Sequence, residues 1–159
     1  MQYDLMLKYI IISRDDRQDK KCTLYPLRER PDFSFRTKKD PGTISQNSIL
    51  LFPKGELLTT ELAGDIIREL AENDGSNEIV LVDSRWRKAK GIADSLPPMR
   101  KVSLEGYETG AKRRDPPPKC GLASCEALYL ASLYLGSPDL SLLSNYHFRQ
   151  RFFKLNGLK

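Results

Sequence analysis

The chain has 159 residues, 40% of them apolar and 30% charged, with a formal net charge of +5. That length suits one domain and can bury a core without staples, the composition excludes a disordered polymer, and no apolar run approaches the roughly 20 residues of a membrane-spanning helix. The charge is uneven: residues 1–83 carry 12 Lys and Arg against 15 Asp and Glu, a net −3, whereas residues 84–159 carry 14 against 6, a net +8. A basic half points to a polyanion such as nucleic acid through counterion release at phosphates, although ordinary solubility charges give the same excess.

Residues 5–13, mostly apolar, predict a first strand buried on both faces. A charged turn follows over 14–21. Residues 22–36 contain Pro26 and Pro31 and predict a loop with a short extended piece, and Pro41-Gly42 marks another turn. Residues 48–52 predict a second strand closed by Pro53. Thr59 or Thr60 can cap a helix running to about Asn73, with Leu62, Ile66, Ile67 and Leu70 on one face. Residues 78–82 form a β-branched third strand with Asp83 at its end, residues 85–93 a short basic helix, and residues 101–104 a fourth strand. Residues 106–120, with Lys112-Arg113-Arg114 and three prolines, predict a loop. Residues 122–135 predict a helix ended by Gly136, and Ser137-Pro138 starts a last helix reaching about Leu155. Strands alternating with helices give an α/β domain over 1–159 with a mainly parallel sheet flanked by helices.

Three cysteines and a single histidine, His147, give neither a disulfide framework nor four zinc ligands at short spacing, so no metal is expected. The start Met-Gln-Tyr-Asp-Leu lacks the regions of a signal peptide in order, so a cytoplasmic protein is expected. No glycine-rich dinucleotide fingerprint or Walker A pattern is present; the stretch over 106–112 fails on spacing. A Ser-His-Asp triad would have to use His147, which falls mid-helix among aromatics, and no sequence-placed histidine activates a cysteine.

Ligands of open α/β sheets sit outside the carboxyl ends of the strands. Three segments fall there: Leu51-Phe52-Pro53, Asp83-Ser84-Arg85-Trp86, and the entry to Gly121-Leu122-Ala123-Ser124-Cys125-Glu126-Ala127. A carboxylate, an indole and free backbone amides suit a nucleoside. Asp83 serves equally as a helix cap, and Trp86 as core packing.

Read in order, four segments are similar to the ribosome-biogenesis family of small-subunit rRNA aminocarboxypropyltransferases: Asp19-Lys20-Lys21-Cys22-Thr23, Leu51-Phe52-Pro53, Asp83-Ser84-Arg85-Trp86 and Leu122-Ala123-Ser124-Cys125-Glu126-Ala127. Ser137-Pro138-Asp139-Leu140, Phe148 and Phe152-Phe153-Lys154-Leu155-Asn156 resemble the family's ending, so the likeness covers about 15–156. Leu24-Tyr25-Pro26 replaces the family's Gly-Lys-Lys, and the basic loop over 109–119 stands in place of its Asn-Pro-Val-Asn-Tyr-Gly segment. The Asp-x-x-Trp and Leu-x-x-x-Glu-Ala pieces also resemble DTW-domain tRNA-uridine aminocarboxypropyltransferases, whose cysteine-rich N-terminal part is absent here.

The resemblance implies a SPOUT-like fold with a C-terminal trefoil knot formed after about Ile79, residues 1–78 supplying strands and substrate-facing loops and 79–159 the cofactor-binding part. It implies S-adenosylmethionine as donor, its 3-amino-3-carboxypropyl group passing to a uridine or pseudouridine ring nitrogen of small-subunit rRNA, by a monomer. Leu51, Phe52, Pro53 and Leu96 would line the adenine or methyl pocket, and Asp83 would hold the ribose or act on the attacking nitrogen. Trp86 would pack on the aminocarboxypropyl chain, Thr23 would meet its carboxylate, and Leu122, Ala123 and Ser124 would contribute backbone. Lys20, Lys21, Arg85, Arg87, Lys88, Lys112, Arg113, Arg114, Arg149 and Arg151 would contact RNA. The alternatives are tRNA as substrate, a SPOUT-like methyltransferase, or a non-catalytic RNA-binding assembly factor.

Overall fold

A computed structural model describes residues 6–14, 23–72, 77–84, 86–111 and 122–158, with Trp86 and Arg87 described by backbone alone. Five strands, β1 (Lys8–Ser13), β2 (Phe33–Thr37), β3 (Ile49–Leu57), β4 (Glu78–Asp83) and β5 (Arg100–Ser103), form one sheet in the order β2-β1-β4-β3-β5. Every neighbouring pair is parallel. The helices are α1 (Thr60–Glu72), α2 (Trp86–Ser95), α3 (Ser124–Tyr134) and α4 (Arg149–Asn156), with 3₁₀ turns at Tyr25–Leu27 and Leu140–Leu143.

Side chains alternate across a strand, so an apolar run such as Tyr9-Ile10-Ile11-Ile12 feeds two layers at once. Tyr9, Ile11, Ile49, Leu51, Ile79 and Leu81 face one layer with Ile66 and Leu70 of α1, Leu128 of α3 and Phe152 of α4. Ile10, Ile12, Leu50 and Val80 face the other, under Ile92 and Ala93 of α2 and Leu96 just after it. The Thr59 hydroxyl accepts the Leu62 amide at 3.0 Å and so caps α1. No helix among the described residues is long and apolar enough to cross a membrane.

Three sequence expectations are sharpened or corrected. The short extended piece expected within 22–36 is the edge strand β2, which begins only at Phe33 and runs one residue past that span to Thr37, where Phe33 and Phe35 stack along Tyr9 and one another, at 4.8 and 5.8 Å between ring centroids.

The second strand does not end at Pro53. Its pairing with β5 stops at Leu51 opposite Val102 and resumes at Glu56 opposite the same residue, leaving residues 52–55 outside the ladder. Proline, having no N–H to donate, falls in that interruption. Gly55 makes the return possible: a Cβ there would lie 2.6 Å from the backbone of Lys101 and Val102. Gly55→Ala is therefore expected to cost about 1–3 kcal/mol in urea unfolding. Gly64→Ala, on α1 with open space around it, should gain about 0.5–1 kcal/mol. Equal midpoints for Gly55→Ala and the unsubstituted chain would refute this account of the bulge.

Finally, the single helix predicted from Pro138 to Leu155 is a 3₁₀ turn and a separate α4. Asp139 accepts the Ser141 amide and also takes Arg30 of the loop before β2, while the Ser144 hydroxyl donates to the Ser141 carbonyl. These local bonds compete with helical ones. His147 consequently lies in an exposed turn against Phe148 rather than mid-helix.

Candidate functional site

The connection from β1 leads to β2 on one side of the sheet, whereas that from β4 leads to β5 on the other. The adjacent strands β1 and β4 thus form the switch point, beyond whose carboxyl ends ligands of open α/β sheets bind. Asp83 is the last residue of β4, in register with Ser13 of β1. The chain leaving β4 enters α2 on one layer, and Leu24, just after Thr23, is buried in the other.

The first turn of α3 lies against this end of the sheet. The Ser124 hydroxyl donates to Asp83 Oδ1 at 3.4 Å, and the Cys125 amide donates to the Thr23 hydroxyl at 3.2 Å. Three residues picked from separate segments, Thr23, Asp83 and Ser124, are therefore brought together. Asp83 and Ser124 are both half-buried. The free amides expected at this turn are partly taken: Ala123 donates to Glu126 Oε1 at 2.7 Å, and Cys125 to Thr23.

Glu126 was quoted within a motif but given no role by sequence. It is completely buried and holds four neutral donors. Its Oε1 receives the Ala123 amide and the Thr109 hydroxyl at 2.8 Å; its Oε2 receives the Gly110 amide at 2.8 Å and the Tyr146 hydroxyl at 3.0 Å. One carboxylate thus ties together the start of α3, the loop after β5 and the turn before α4. Burial first, and the Glu126 charge second, push the Tyr146 hydroxyl well above the usual tyrosine range, which keeps it a donor. Gly110 packs so closely on α4 that a Cβ would meet the Phe148 carbonyl and the Phe152 amide at 2.7 Å. An acid at the third position of a helix reaching back to the cap amide is the one local signal for this role.

Cys125 is sealed beneath the site. Burial pushes its thiol up to about 12, against a smaller opposing effect of the Thr23 hydroxyl. Alkylation at pH 8 with peptide mapping is expected to leave Cys125 unmodified in the native protein and to label it in urea. The raised value also means that stability falls as pH climbs from about 9 toward 12, where only the unfolded thiol ionises. Labelling of native Cys125 at pH 8 would contradict its burial.

The remaining candidates are spread more widely. Leu51 packs in the layer of α1 and α3, while Phe52 and Leu96 pack in the layer of α2. Pro53 is half-buried in the bulge, Leu122 half-buried and Ala123 buried beside α3. Lys88 is exposed on α2; Arg149 is half-buried and Arg151 exposed on α4. Lys20, Lys21, Arg85, Lys112, Arg113 and Arg114, and the side chains of Trp86 and Arg87, lie outside the described residues. Sequence reading passed over three exposed cations at the carboxyl edge, Arg14, Lys38 and Lys39, the last two brought there by the Lys38 amide bonding the Ser13 carbonyl at 2.8 Å. Among the described residues no cluster of three His, Cys, Asp or Glu could hold a metal ion.

No protein-family model matches the chain, and no curated protein matches it in sequence. Its fold is similar to that of a solved structure, the SAM-dependent rRNA:acp-transferase Tsr3 from Vulcanisaeta distributa, with a TM-score of 0.71 over 96% of this chain and 80% of that one, at 18% identity. At that identity the likeness is one of fold.

Proposed function

We propose that this chain transfers the 3-amino-3-carboxypropyl group of S-adenosylmethionine to a ring nitrogen of a uridine or pseudouridine in small-subunit rRNA, releasing methylthioadenosine. The observation that carries this reading is the half-buried Asp83 carboxylate at the switch point, bonded to the first turn of α3, on a fold shared with an rRNA:acp-transferase.

The residues present fit such a donor. A carboxylate at a strand end can accept from both hydroxyls of a ribose, and Thr23, whose oxygen receives the Cys125 amide, can offer its proton to an amino-acid carboxylate. S-adenosylmethionine supplies a carbon already activated by its sulfonium, so the chain has mainly to position two reactants. Asp83 either grips the ribose or takes the proton of the weakly acidic ring nitrogen. Leu51, Phe52, Pro53 and Leu96 form the apolar walls, Trp86 packs on the aminocarboxypropyl arm, and Leu122, Ala123 and Ser124 contribute backbone. The cations at 20, 21, 85, 87, 88, 112–114, 149 and 151 guide the RNA backbone. On the same reading the chain is a single cytoplasmic domain, monomeric, with its part after about Ile79 knotted.

The test is incubation with ribosomal RNA and S-adenosylmethionine labelled either in the carboxyl or in the methyl group. Carboxyl label entering RNA, with methylthioadenosine released, supports the proposal. Methyl label entering RNA, with S-adenosylhomocysteine released, would replace it with a methyltransferase. Transfer to tRNA alone would move the substrate.

A further inference from the structure

The loop that carries Thr23 brings Tyr25 and Arg28 to the aromatic face of the edge strand β2. Tyr9 stacks on Phe33 at 26° between ring planes, and Phe33 on Phe35 at 19°. The Arg28 guanidinium lies over Phe35, 4.4 Å from its centroid, and 5.9 Å from that of Tyr25. Moving outward, the layers pass from buried Tyr9 and Phe33 to half-buried Phe35, Arg28 and Tyr25.

Arg28 is held unusually. Among the described residues its Nε is the one buried side-chain polar atom with no hydrogen-bond partner. Such an orphaned donor asks for a physical reason. Arg30 shows the ordinary alternative two residues later: it too lies over a ring, 5.3 Å from Phe33, but gives its donors to Asp32, Asp139 and Ser141. No carboxylate among the described residues pairs with Arg28. Its guanidinium packs on the Phe35 ring, 4.4 Å from the centroid, in place of an acceptor.

We propose that the Tyr25–Arg28–Phe35 layer is a stacking surface for an unpaired base of the bound RNA. This rests on the RNA reading above and extends it to a part of the molecule away from the donor pocket. A planar cation backed by an aromatic ring attracts the π-face that every nucleobase presents. The surface is joined to the site through Thr23, and the exposed Arg14, Lys38 and Lys39 at the ends of β1 and β2 supply phosphate contacts alongside.

The test compares two fluorescein-labelled RNAs bound to the 159-residue chain: a hairpin with an all-adenosine loop, and its stem as a blunt duplex. The unsubstituted chain is expected to favour the hairpin roughly tenfold. Arg28→Lys keeps the charge but loses the plane, and Tyr25→Leu keeps apolar bulk but loses the ring. Each is expected to weaken hairpin binding about tenfold, with duplex binding and the salt dependence unchanged.

Undiminished hairpin binding by Arg28→Lys overturns the proposal. So does an equal loss on hairpin and duplex, which would make Arg28 a phosphate contact. Thermal melting accompanies each variant, and should Arg28→Lys fail to fold, the hairpin affinity of Tyr25→Leu decides by the same criteria. Calorimetry with S-adenosylmethionine separates the two readings. Hairpin preference without donor binding removes the transferase and keeps the stacking surface; donor binding without hairpin preference does the reverse.

Discussion

Glu126→Ala is expected to lower the unfolding free energy by about 4 kcal/mol or more, among the largest losses a single substitution causes. Alanine strands the Ala123 and Gly110 amides and the Thr109 and Tyr146 hydroxyls, four buried or half-buried donors that now share one carboxylate. Among the described residues no cation is bonded to that carboxylate; its bonds come from neutral dipoles, including the start of α3, where a helix favours an anion. Glu126→Gln is milder, about 1–3 kcal/mol, because its oxygen can keep Ala123 and Thr109; of the two donors that then meet an NH₂, the Tyr146 hydroxyl can turn and accept, whereas the Gly110 amide is stranded. Urea unfolding monitored by circular dichroism gives both values, and an alanine variant within about 0.5 kcal/mol of the unsubstituted chain would show that the network carries no weight.

The second large effect is on chemistry. Asp83→Ala is expected to reduce label transfer from S-adenosylmethionine to RNA by about 100-fold or more, with circular dichroism checking that the variant is folded; the Ser124 hydroxyl that bonds Asp83 at 3.4 Å is half-buried and can turn to water. Asp83→Asn sorts the two roles left open for this carboxylate. Asparagine can accept from only one of the two ribose hydroxyls and cannot take a proton. A variant that binds the donor normally yet fails to transfer makes Asp83 a base, and one that loses donor affinity and rate together makes it a ribose ligand. Full transfer by the alanine variant would remove Asp83 from the site.

The parts of this fold that were legible in the sequence are those whose signal is local. Runs such as Tyr9-Ile10-Ile11-Ile12 and Ile79-Val80-Leu81 announce strands because each residue fills one layer or the other. Thr59 announces α1 because the cap and the amide it bonds are three residues apart. What escaped depends on distant partners. The extended piece within 22–36 had no fixed place until Tyr9 set it at Phe33 and Phe35, and β3 runs past Pro53 only because Gly55 lets it return to Val102. The last helix is divided by Asp139 meeting Arg30 and by Tyr146 meeting Glu126. At the site, motif order suggested Thr23, Asp83 and Ser124. Glu126 stayed hidden because three of its four donors come from residues 109, 110 and 146, which nothing in their own neighbourhood marks.

The strand order has a consequence for how the chain is made. β4 lies between β1 and β3, yet β1, β2 and β3 all precede it in synthesis. Until residues 78–83 leave the ribosome, β1 has only β2 for a neighbour, β3 has none to bond on that side, and both present open ladders of apolar strand. The nascent N-terminal half is thus a split sheet awaiting its wedge, and the arrival of β4 is the step at which the two pieces are stitched into one. Late, long-range insertion of this kind is slow and exposed to wrong pairing.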